Sequence, residues 1–377
     1  MRVLHAPVNV GNQPWVLSRF ERELGLRSDL VVNYSTWLGY PADRAISPAG
    51  ERTLGAVLRR LWYGIRAPWQ YDVLHFYFAR SLLCWDDFGP RNPLWFLDLH
   101  LARGLGRRIV FTLQGCDVRL AAESDRVNDV TMCRVGGCTA VNQCLARIDR
   151  QRRWFIQRIL PRCHQVFVLN PELMRYAPKA SFLPYASVDI ETFSVVPPRT
   201  EGPIRILHAP TDPGIKGTVR ILDALERLRG EFRLEILRVQ NVRHAQALAR
   251  YSDADLLVDQ VYAGWYGGLA VELMAMGKPV ACYIRDEDLA CLPAEMRQDL
   301  PILRIHPDRL YEDLKGILLA RELWPEWSRL SRRYVMRWHN PRWLARLVAR
   351  TYAGEQFVLA PAPDAPPPQP LSAGGTD

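Results

Sequence analysis

The chain has 377 residues, of which 48% are hydrophobic and 24% charged, and its formal net charge is +9. This length suits two domains of ordinary size, each with its own core. The positive charge indicates an acidic partner: nucleotide phosphates, an anionic membrane surface or nucleic acid. Nucleic acid is the least favoured, because no helix-turn-helix, RRM or zinc-finger pattern occurs. No run of about eighteen apolar residues and no signal-peptide pattern is found, so we expect a cytoplasmic protein without a spanning helix.

The first half of the chain alternates strands with helices, as a doubly wound parallel sheet requires. In the predicted strand at 71–78, His75 lies among apolar residues, where a buried core histidine is favoured over a functional one. The predicted helix at 54–62 carries Arg59 and Arg60 on its outer side. The other predicted elements of this half are strands at 3–7, 30–32, 108–113 and 165–169 and helices at 15–24 and 99–105.

Polar residues follow two of these strands. The first strand leads into a loop with Gly11 and Asn12, and the strand at 108–113 leads into Gln114 and Asp117. Doubly wound sheets bind ligands beyond the carboxyl ends of their strands. Asp117 has two open interpretations: it caps the next helix, or it contacts a ligand.

Residues 116–163 are less regular and contain several cysteines. Four thiolates could form a structural zinc site, although no C-x-x-C pair occurs. The alternative is buried free thiols, because cysteine packs as a small hydrophobe. The cysteines concerned are Cys116, Cys133, Cys138 and Cys144, with Cys163 downstream.

Residues 145–160 have the pattern of an amphipathic helix with many arginines. Such a helix can lie on an anionic membrane. The exposed face of an ordinary domain helix explains the pattern equally well.

The second half repeats the alternation of strands and helices after a proline-rich hinge at 195–203. Predicted strands are 204–208, 232–239, 254–259, 278–284 and 301–305, and predicted helices are 217–229, 242–251, 310–319, 324–338 and 339–352. The expected organisation is a first domain at 1–195, a linker at 196–202, a second domain at 203–335, a crossover helix at 336–354 and a disordered tail at 355–377.

Residues 254–284 are predicted to form a strand, a glycine loop, a helix and a second strand. Gly264, Gly267 and Gly268 lie in the loop, and Glu272 lies about one turn into the helix. The loop allows close approach of a ligand, and the helix start offers unpaired amides to an anion such as phosphate. Glu272 is near enough to accept hydrogen bonds from the hydroxyls of a ribose or a sugar.

The stretch GWYGGLAVELMAMGKPV resembles the donor-site signature of the retaining GT-B glycosyltransferases usually called family 4. The matching residues are Tyr266, Gly267, Glu272, Ala275, Met276, Gly277, Pro279 and Val280. Lys216 and Gly217 match the Lys-Gly motif of this family, whose lysine contacts the donor diphosphate.

Three positions depart from the family pattern. Gly264 stands where the family has a glutamate, Thr211 where it has an arginine, and Gln114 where it has a histidine. Near the missing glutamate, only Asp259, Gln260 and Trp265 are close enough in sequence to replace it.

The resemblance implies an α/β protein with the GT-B fold, in which two Rossmann-like domains face each other across a cleft. It implies transfer, with retention, of a sugar from a nucleotide-diphospho-sugar to a carbohydrate or lipid-linked acceptor, without cofactor or obligatory metal. This suits cell-surface polysaccharide or glycolipid synthesis at the inner face of the membrane. The implied donor-binding residues are Gly11, Asn12, Thr211, Lys216, Gly217, Tyr266, Gly267, Gly268, Leu269 and Glu272; those on the acceptor side are Gln114 and Asp117; those with a catalytic role are Lys216, Glu272 and Asp117. The alternative is a nucleotide-sugar-binding protein that has lost the chemistry.

Overall fold

The computed structural model describes residues 1–35, 38–48, 51, 53–84, 94–134 and 137–363. Their strands form two parallel sheets, one of seven strands and one of five. The chain divides into two compact units. The first unit contains Met1–Ser124, Asn142–Val188 and Pro341–Leu359, and the second contains Asp125–Val141, Asp189–Asn340 and the described residues from Ala360.

Helices connect the strands in both units. They are α1 (Gln13–Glu23), α2 (Leu54–Gln70), α3 (Leu97–Gly104), α4 (Ala121–Val127), α5 (Val141–Gln143), α6 (Asp149–Arg158), α7 (Pro213–Lys216), α8 (Thr218–Leu228), α9 (His244–Tyr251), α10 (Gly268–Ala275), α11 (Asp286–Leu289), α12 (Ala294–Asp299), α13 (Leu310–Leu319), α14 (Trp324–Trp338) and α15 (Pro341–Tyr352).

The sheet of the first unit has the order β3-β2-β1-β4-β5-β6-β7. Its strands are β1 (Arg2–Ala6), β2 (Arg27–Tyr34), β3 (Arg44–Ser47), β4 (Val73–Tyr77), β5 (Arg108–Leu113), β6 (Gln165–Val168) and β7 (Ser181–Phe182). The chain order reverses between β1 and β4. Ligands bind at the carboxyl ends of strands where such a reversal occurs.

The sheet of the second unit has the order β12-β11-β10-β8-β9. Its strands are β8 (Ile204–His208), β9 (Leu234–Arg238), β10 (Leu256–Val258), β11 (Val280–Cys282) and β12 (Leu303–Arg304). Here the reversal falls between β8 and β10, which pair directly through Ile206 and Leu256. The loops that follow these two strands therefore leave the same edge of the sheet side by side. The predicted α/β class with parallel sheets is confirmed.

A buried polar network ties α15 to the core of the first unit. The Tyr352 hydroxyl donates to Glu21 (3.0 Å) and lies 2.7 Å from His75 Nδ1. His5 Nε2 lies 2.8 Å from the same glutamate, and all four side chains are buried. Burial, with a smaller contribution from His5, lowers the pKa of His75 well below its ordinary value. His75 is thus a core histidine, as its sequence context favours.

Helix α2 differs from the prediction in length and orientation. It continues to Gln70, through Pro68, whereas the apolar pattern predicts an end at residue 62. The prediction that Arg60 faces outward is wrong: its side chain is buried, and its guanidinium lies 4.7 Å from the centroid of the Tyr34 ring. The planar guanidinium can be buried there because it stacks on an aromatic face.

The predicted amphipathic helix at 145–160 is a π-helical turn (Cys144–Ile148) followed by α6. Phe155 and Ile159 are buried, and the Phe155 ring lies 5.3 Å from Phe111 in the core of the first unit. Its apolar side is therefore used in folding, which favours the domain-helix alternative. No described helix combines the length and apolar character that crossing a membrane requires.

The compact units differ from the predicted domain boundaries. Residues 125–141 belong to the second unit, and α15 belongs to the first. In the predicted linker, Val196 donates its amide to Met276 and Arg199 pairs with Asp255 (2.8 Å), so this segment packs on the second unit. The predicted tail begins at residue 355, yet Phe357 is buried in the core of the first unit; residues 364–377 lie outside the described part of the chain.

Replacing Tyr352 with Phe tests the buried network. We expect the free energy of unfolding to fall by about 1–3 kcal/mol, because buried Glu21 and His75 each lose a hydrogen-bonding partner. Chemical denaturation would measure it. The matched control is Tyr311→Phe, whose hydroxyl bonds Glu231 on the exposed surface. Equal losses in both variants would contradict a structural role for the network.

Candidate functional site

One carboxylate joins the two loops that leave β8 and β10. Asp259 directly follows β10 and is buried. Its Oδ1 lies 2.5 Å from the ammonium of Lys216, and its Oδ2 accepts a hydrogen bond from the amide of Gly267 (3.1 Å). The Lys-Gly motif and the glycine loop, more than forty residues apart in sequence, therefore meet at one buried group.

The turn at Lys216 is fixed by backbone geometry. Asp212 caps the short helix α7 by accepting from the amides of Gly214 and Ile215. Gly217 has a φ of +73°, and a Cβ there would lie 2.4 Å from a methyl group of Val261. Only glycine fits this left-handed position against the neighbouring loop. Thr211, which stands where the family pattern has an arginine, is exposed on the same loop.

Gln260 organises the glycine loop from inside. Its amide nitrogen donates to the carbonyl of Trp265 (2.5 Å), and its oxygen accepts from the amides of Tyr262 (2.9 Å) and Ala263 (2.6 Å). Trp265 is itself buried. Asp259 and Gln260 thus order the glycine loop, and the prediction that one of Asp259, Gln260 and Trp265 replaces the missing glutamate stays a prediction.

Tyr266 is a residue of the core. Its side chain is fully buried, and its hydroxyl lies 2.8 Å from that of Tyr334 and 2.9 Å from His339 Nε2. Because Tyr334 lies in α14 and His339 directly follows it, the tyrosine holds the glycine loop against the end of that helix. The side chain is thus occupied within the core, and the prediction that Tyr266 takes part in donor binding stays a prediction.

Arg285 explains the glycine at position 264. A Cβ on Gly264, whose φ is +77°, would lie 2.7 Å from the guanidinium of Arg285. That guanidinium is buried and donates to Asp288 (2.8 Å) and to the carbonyl of Val130 (2.9 Å). A glutamate at 264 would therefore collide with a fixed arginine. The sequence gives no signal for this contact, because Arg285 follows a different strand.

The start of α10 offers amides to an anion. Ala270 donates the first intrahelical hydrogen bond, to the carbonyl of Gly267 (3.1 Å), so the amides of Gly268 and Leu269 precede the helical pattern. A Cβ on Gly267 would lie 3.6 Å from the Lys216 ammonium, which places the cation beside this helix start. Of these three amides, that of Gly267 already donates a hydrogen bond to Asp259. The combination of helix dipole, amides and ammonium suits phosphate.

Glu272 is held by a histidine that sequence reasoning missed. His244, at the start of α9, lies 2.6 Å from its carboxylate, and both side chains are mostly buried. Burial disfavours the charged histidine, but the hydrogen bond and the charge of Glu272 outweigh it, so the pKa of His244 is raised. The pair fixes the direction of the carboxylate one turn inside α10.

The first unit brings its own predicted residues together. The Gln114 side chain donates to the carbonyl of Val10 (3.3 Å), and that of Asn12 donates to Ser187 (3.1 Å). Asp117 accepts from the amides of Gln114 (2.9 Å) and Gly115 (2.7 Å). Its carboxylate therefore orders the turn before it, and does not cap the next helix. Burial raises the pKa of Asp117 by more than the hydrogen bonds lower it, so its pKa lies above the ordinary value.

A cavity of about 290 Å³ opens beside this turn, within the first unit. Asp117, Trp154 and Phe155 line it, together with Phe78 and Ala79. The last two directly follow β4 and hold left-handed φ angles of +57° and +50°. Non-glycine residues in this conformation cost free energy and gather at ligand sites.

The cysteines form no metal site in the described part of the chain, where no group of three or more His, Cys, Asp or Glu could hold an ion. Cys116 Sγ accepts from Arg119 (3.3 Å), and burial raises the pKa of Cys163 to about 12. The alternative of free thiols is therefore the one that the structure favours.

No protein-family model matches the chain, and no curated protein matches it. Solved structures are similar to it over 94% of its length. One is sucrose-phosphate synthase from Thermosynechococcus elongatus, at 14% identity and a TM-score of 0.56, where the match covers 94% of this chain and 99% of that one. Another is Anabaena HepE in complex with UDP and glucose, at 11% identity and a TM-score of 0.59, covering 94% of this chain and 100% of that one. A third is WaaG, a glycosyltransferase involved in lipopolysaccharide biosynthesis, at 14% identity and a TM-score of 0.53, covering 94% of this chain and 100% of that one. At these identities the likeness shows the fold, and the predicted GT-B fold is confirmed.

Replacing Asp259 with Asn tests whether this carboxylate organises the site. We expect the free energy of unfolding to fall by about 3–5 kcal/mol, because the substitution breaks a largely buried pair and leaves the ammonium without its counter-ion. Thermal denaturation would measure it. Asp308→Asn is the control, since its pair with Arg220 is more than half exposed on both sides and should contribute little. A melting temperature that Asp259→Asn leaves unchanged would contradict the assigned role.

Proposed function

We propose that the protein is a glycosyltransferase that moves a sugar from a nucleotide-diphospho-sugar to an acceptor. The observation that carries the proposal is the junction of Lys216, Asp259 and the start of α10 at the point where the strand order reverses. This is where α/β sheets bind ligands, and the groups that meet there suit a diphosphate. The solved structures of similar fold support it, since that of HepE contains UDP and glucose.

Lys216 would act on the leaving group. Breaking the bond between sugar and diphosphate builds negative charge on the departing phosphate, so a cation fixed beside it stabilises the transition state more than the bound donor. Asp259 holds the ammonium in place before the donor arrives. The amides of Gly268 and Leu269 would share the charge, so these residues supply the stabilisation that a metal ion supplies elsewhere.

Glu272 would hold the ribose. Its carboxylate is 8% exposed and fixed by His244, which leaves it able to accept hydrogen bonds from vicinal hydroxyls without changing rotamer. A carboxylate so held contributes mainly to binding, since ribose does not change charge during transfer.

The acceptor would bind the first unit at the turn of Gln114 and Asp117 and in the adjoining cavity. Aromatic side chains and a carboxylate in one lining suit a sugar ring, which has apolar faces and polar edges. Gly11 and Asn12 lie beside this turn through the bond from Gln114 to Val10. Retention of configuration and a role in cell-surface polysaccharide or glycolipid synthesis complete the proposal, and they rest on the family resemblance of the sequence.

A second candidate is a nucleotide-sugar-binding protein without transferase activity. The observation that favours it is Arg285, whose buried guanidinium occupies the space above Gly264. In the family that the sequence resembles, a glutamate at that position contacts the sugar, and here Arg285 excludes it. Such a protein would still bind the diphosphate but would lack the contact that holds the sugar for transfer.

The test begins with thermal stabilisation by nucleoside diphosphates and their sugars, with UDP first. Lys216→Ala should weaken donor binding about ten- to a hundredfold and slow transfer as well, since a charge-assisted hydrogen bond contributes about 1.5–3 kcal/mol. Glu272→Gln should weaken binding and leave the rate at saturating donor nearly unchanged. Lys315→Ala, which removes an exposed lysine of the same unit, is the control.

Because Lys216→Ala also leaves Asp259 unpaired, the double variant Lys216→Met with Asp259→Asn removes both charges and should fold while failing to bind. Full donor affinity in the double variant would place the site elsewhere. Donor binding by the wild type without transfer to any acceptor tested would favour the binding-protein candidate.

A further inference from the structure

Helix α2 carries apolar side chains on its solvent side. Along its length Leu54, Leu58, Trp62, Ile65 and Trp69 are 74%, 54%, 54%, 38% and 50% exposed. Their spacing of four, four, three and four residues places them on one side of the helix. We call these five residues the outer face of α2.

The opposite side of α2 already packs into the first unit. Ala56, Tyr63, Ala67 and Pro68 are buried there. A surface helix ordinarily buries one apolar stripe and exposes polar residues. Helix α2 is apolar on both sides, so the outer face is not explained by the folding of its own unit.

The charges along α2 are all positive. The helix contains Arg59, Arg60 and Arg66 and no acidic residue. Arg66 is exposed, and its guanidinium lies 5.0 Å from the centroid of the Trp62 ring, so a cation accompanies the apolar stripe. At the end of the helix Arg107 donates to the carbonyl of Pro68 (3.0 Å). Arg59 is partly neutralised by Glu51 (2.5 Å), whereas Arg66 lies over the Trp62 ring.

These features fit a membrane interface better than a protein partner. Apolar residues with tryptophan on one side of a helix and arginine beside them are typical of helices that lie in the headgroup region. The stripe is one residue wide and exposes on the order of 500 Å². A standard protein interface needs about 800 Å² from each partner.

We propose that the outer face of α2 binds the surface of a membrane that contains anionic lipids. Trp62 and Trp69 would lie at the level of the headgroups, Leu54 and Leu58 would enter the acyl boundary, and Arg66 would meet lipid phosphates. The surface differs from the segment at 145–160, where Phe155 and Ile159 are buried in the first unit. The proposal does not depend on the transferase activity.

Sedimentation of the full chain with vesicles tests it. Wild-type protein should bind vesicles of phosphatidylcholine mixed with phosphatidylglycerol at low salt, and binding should weaken as salt rises or when phosphatidylglycerol is omitted. Leu54→Ser with Leu58→Ser, and separately Trp62→Ser with Trp69→Ser, should each reduce the partition coefficient at least tenfold. About half or more of each of these four side chains is exposed, so both variants should remain folded at the assay temperature, which their melting curves would check.

The matched control is Val219→Ser with Leu319→Ser, because these residues are 82% and 64% exposed in the second unit. This variant should bind vesicles like the wild type. Two results would overturn the proposal: no vesicle binding by the wild type at low salt, or undiminished binding by both α2 variants. Light scattering provides a third test, because it measures whether the protein is a dimer. If the wild type is a dimer that does not bind vesicles, and the α2 substitutions dissociate it, the outer face of α2 binds a second copy of the chain instead.

Discussion

A buried carboxylate is the constraint on which the candidate site depends. A charge removed from water must be paired and hydrogen-bonded, and Asp259 satisfies this requirement with the Lys216 ammonium on one oxygen and the Gly267 amide on the other. Each contact fixes one of the two loops. The cation and the start of α10 are thereby placed next to each other before any ligand arrives, so little reorganisation is needed when an anion binds.

The sequence predicts the parts of this site better than their connections. Strands, the glycine loop and the Lys-Gly turn are encoded in short stretches, where apolar periodicity and glycine carry the signal. The pairing of Lys216 with Asp259 depends on β8 lying beside β10, which is a property of the whole sheet. The same holds for Arg285, which follows β11 and fills the space above Gly264, and for Tyr266, whose partners lie in or just after α14. In each case the local pattern fits more than one role, and a distant residue decides among them.

The sequence also does not show which apolar surfaces of a helix are buried in the fold. Both the segment at 145–160 and α2 have amphipathic patterns with arginines, but a pattern does not say which apolar side is covered. In α6 the core of the first unit covers it through Phe155 and Phe111. In α2 the residues that pack inward include Tyr63 and Ala67, and the stripe that contains Trp62 and Trp69 remains outside. Burial depends on neighbouring helices and strands, and the sequence of one helix does not contain that information.

The most direct measurement of the central claim is a crystal structure of the protein with a bound nucleoside diphosphate. We expect the phosphate oxygens within about 2.7–3.2 Å of the Lys216 ammonium and of the amides of Gly268 and Leu269, with the ribose at Glu272. The contact between Asp259 and Lys216 should persist, because the aspartate positions the cation for the ligand. A diphosphate bound elsewhere on the chain, with these groups left in contact only with protein or water, would contradict the account.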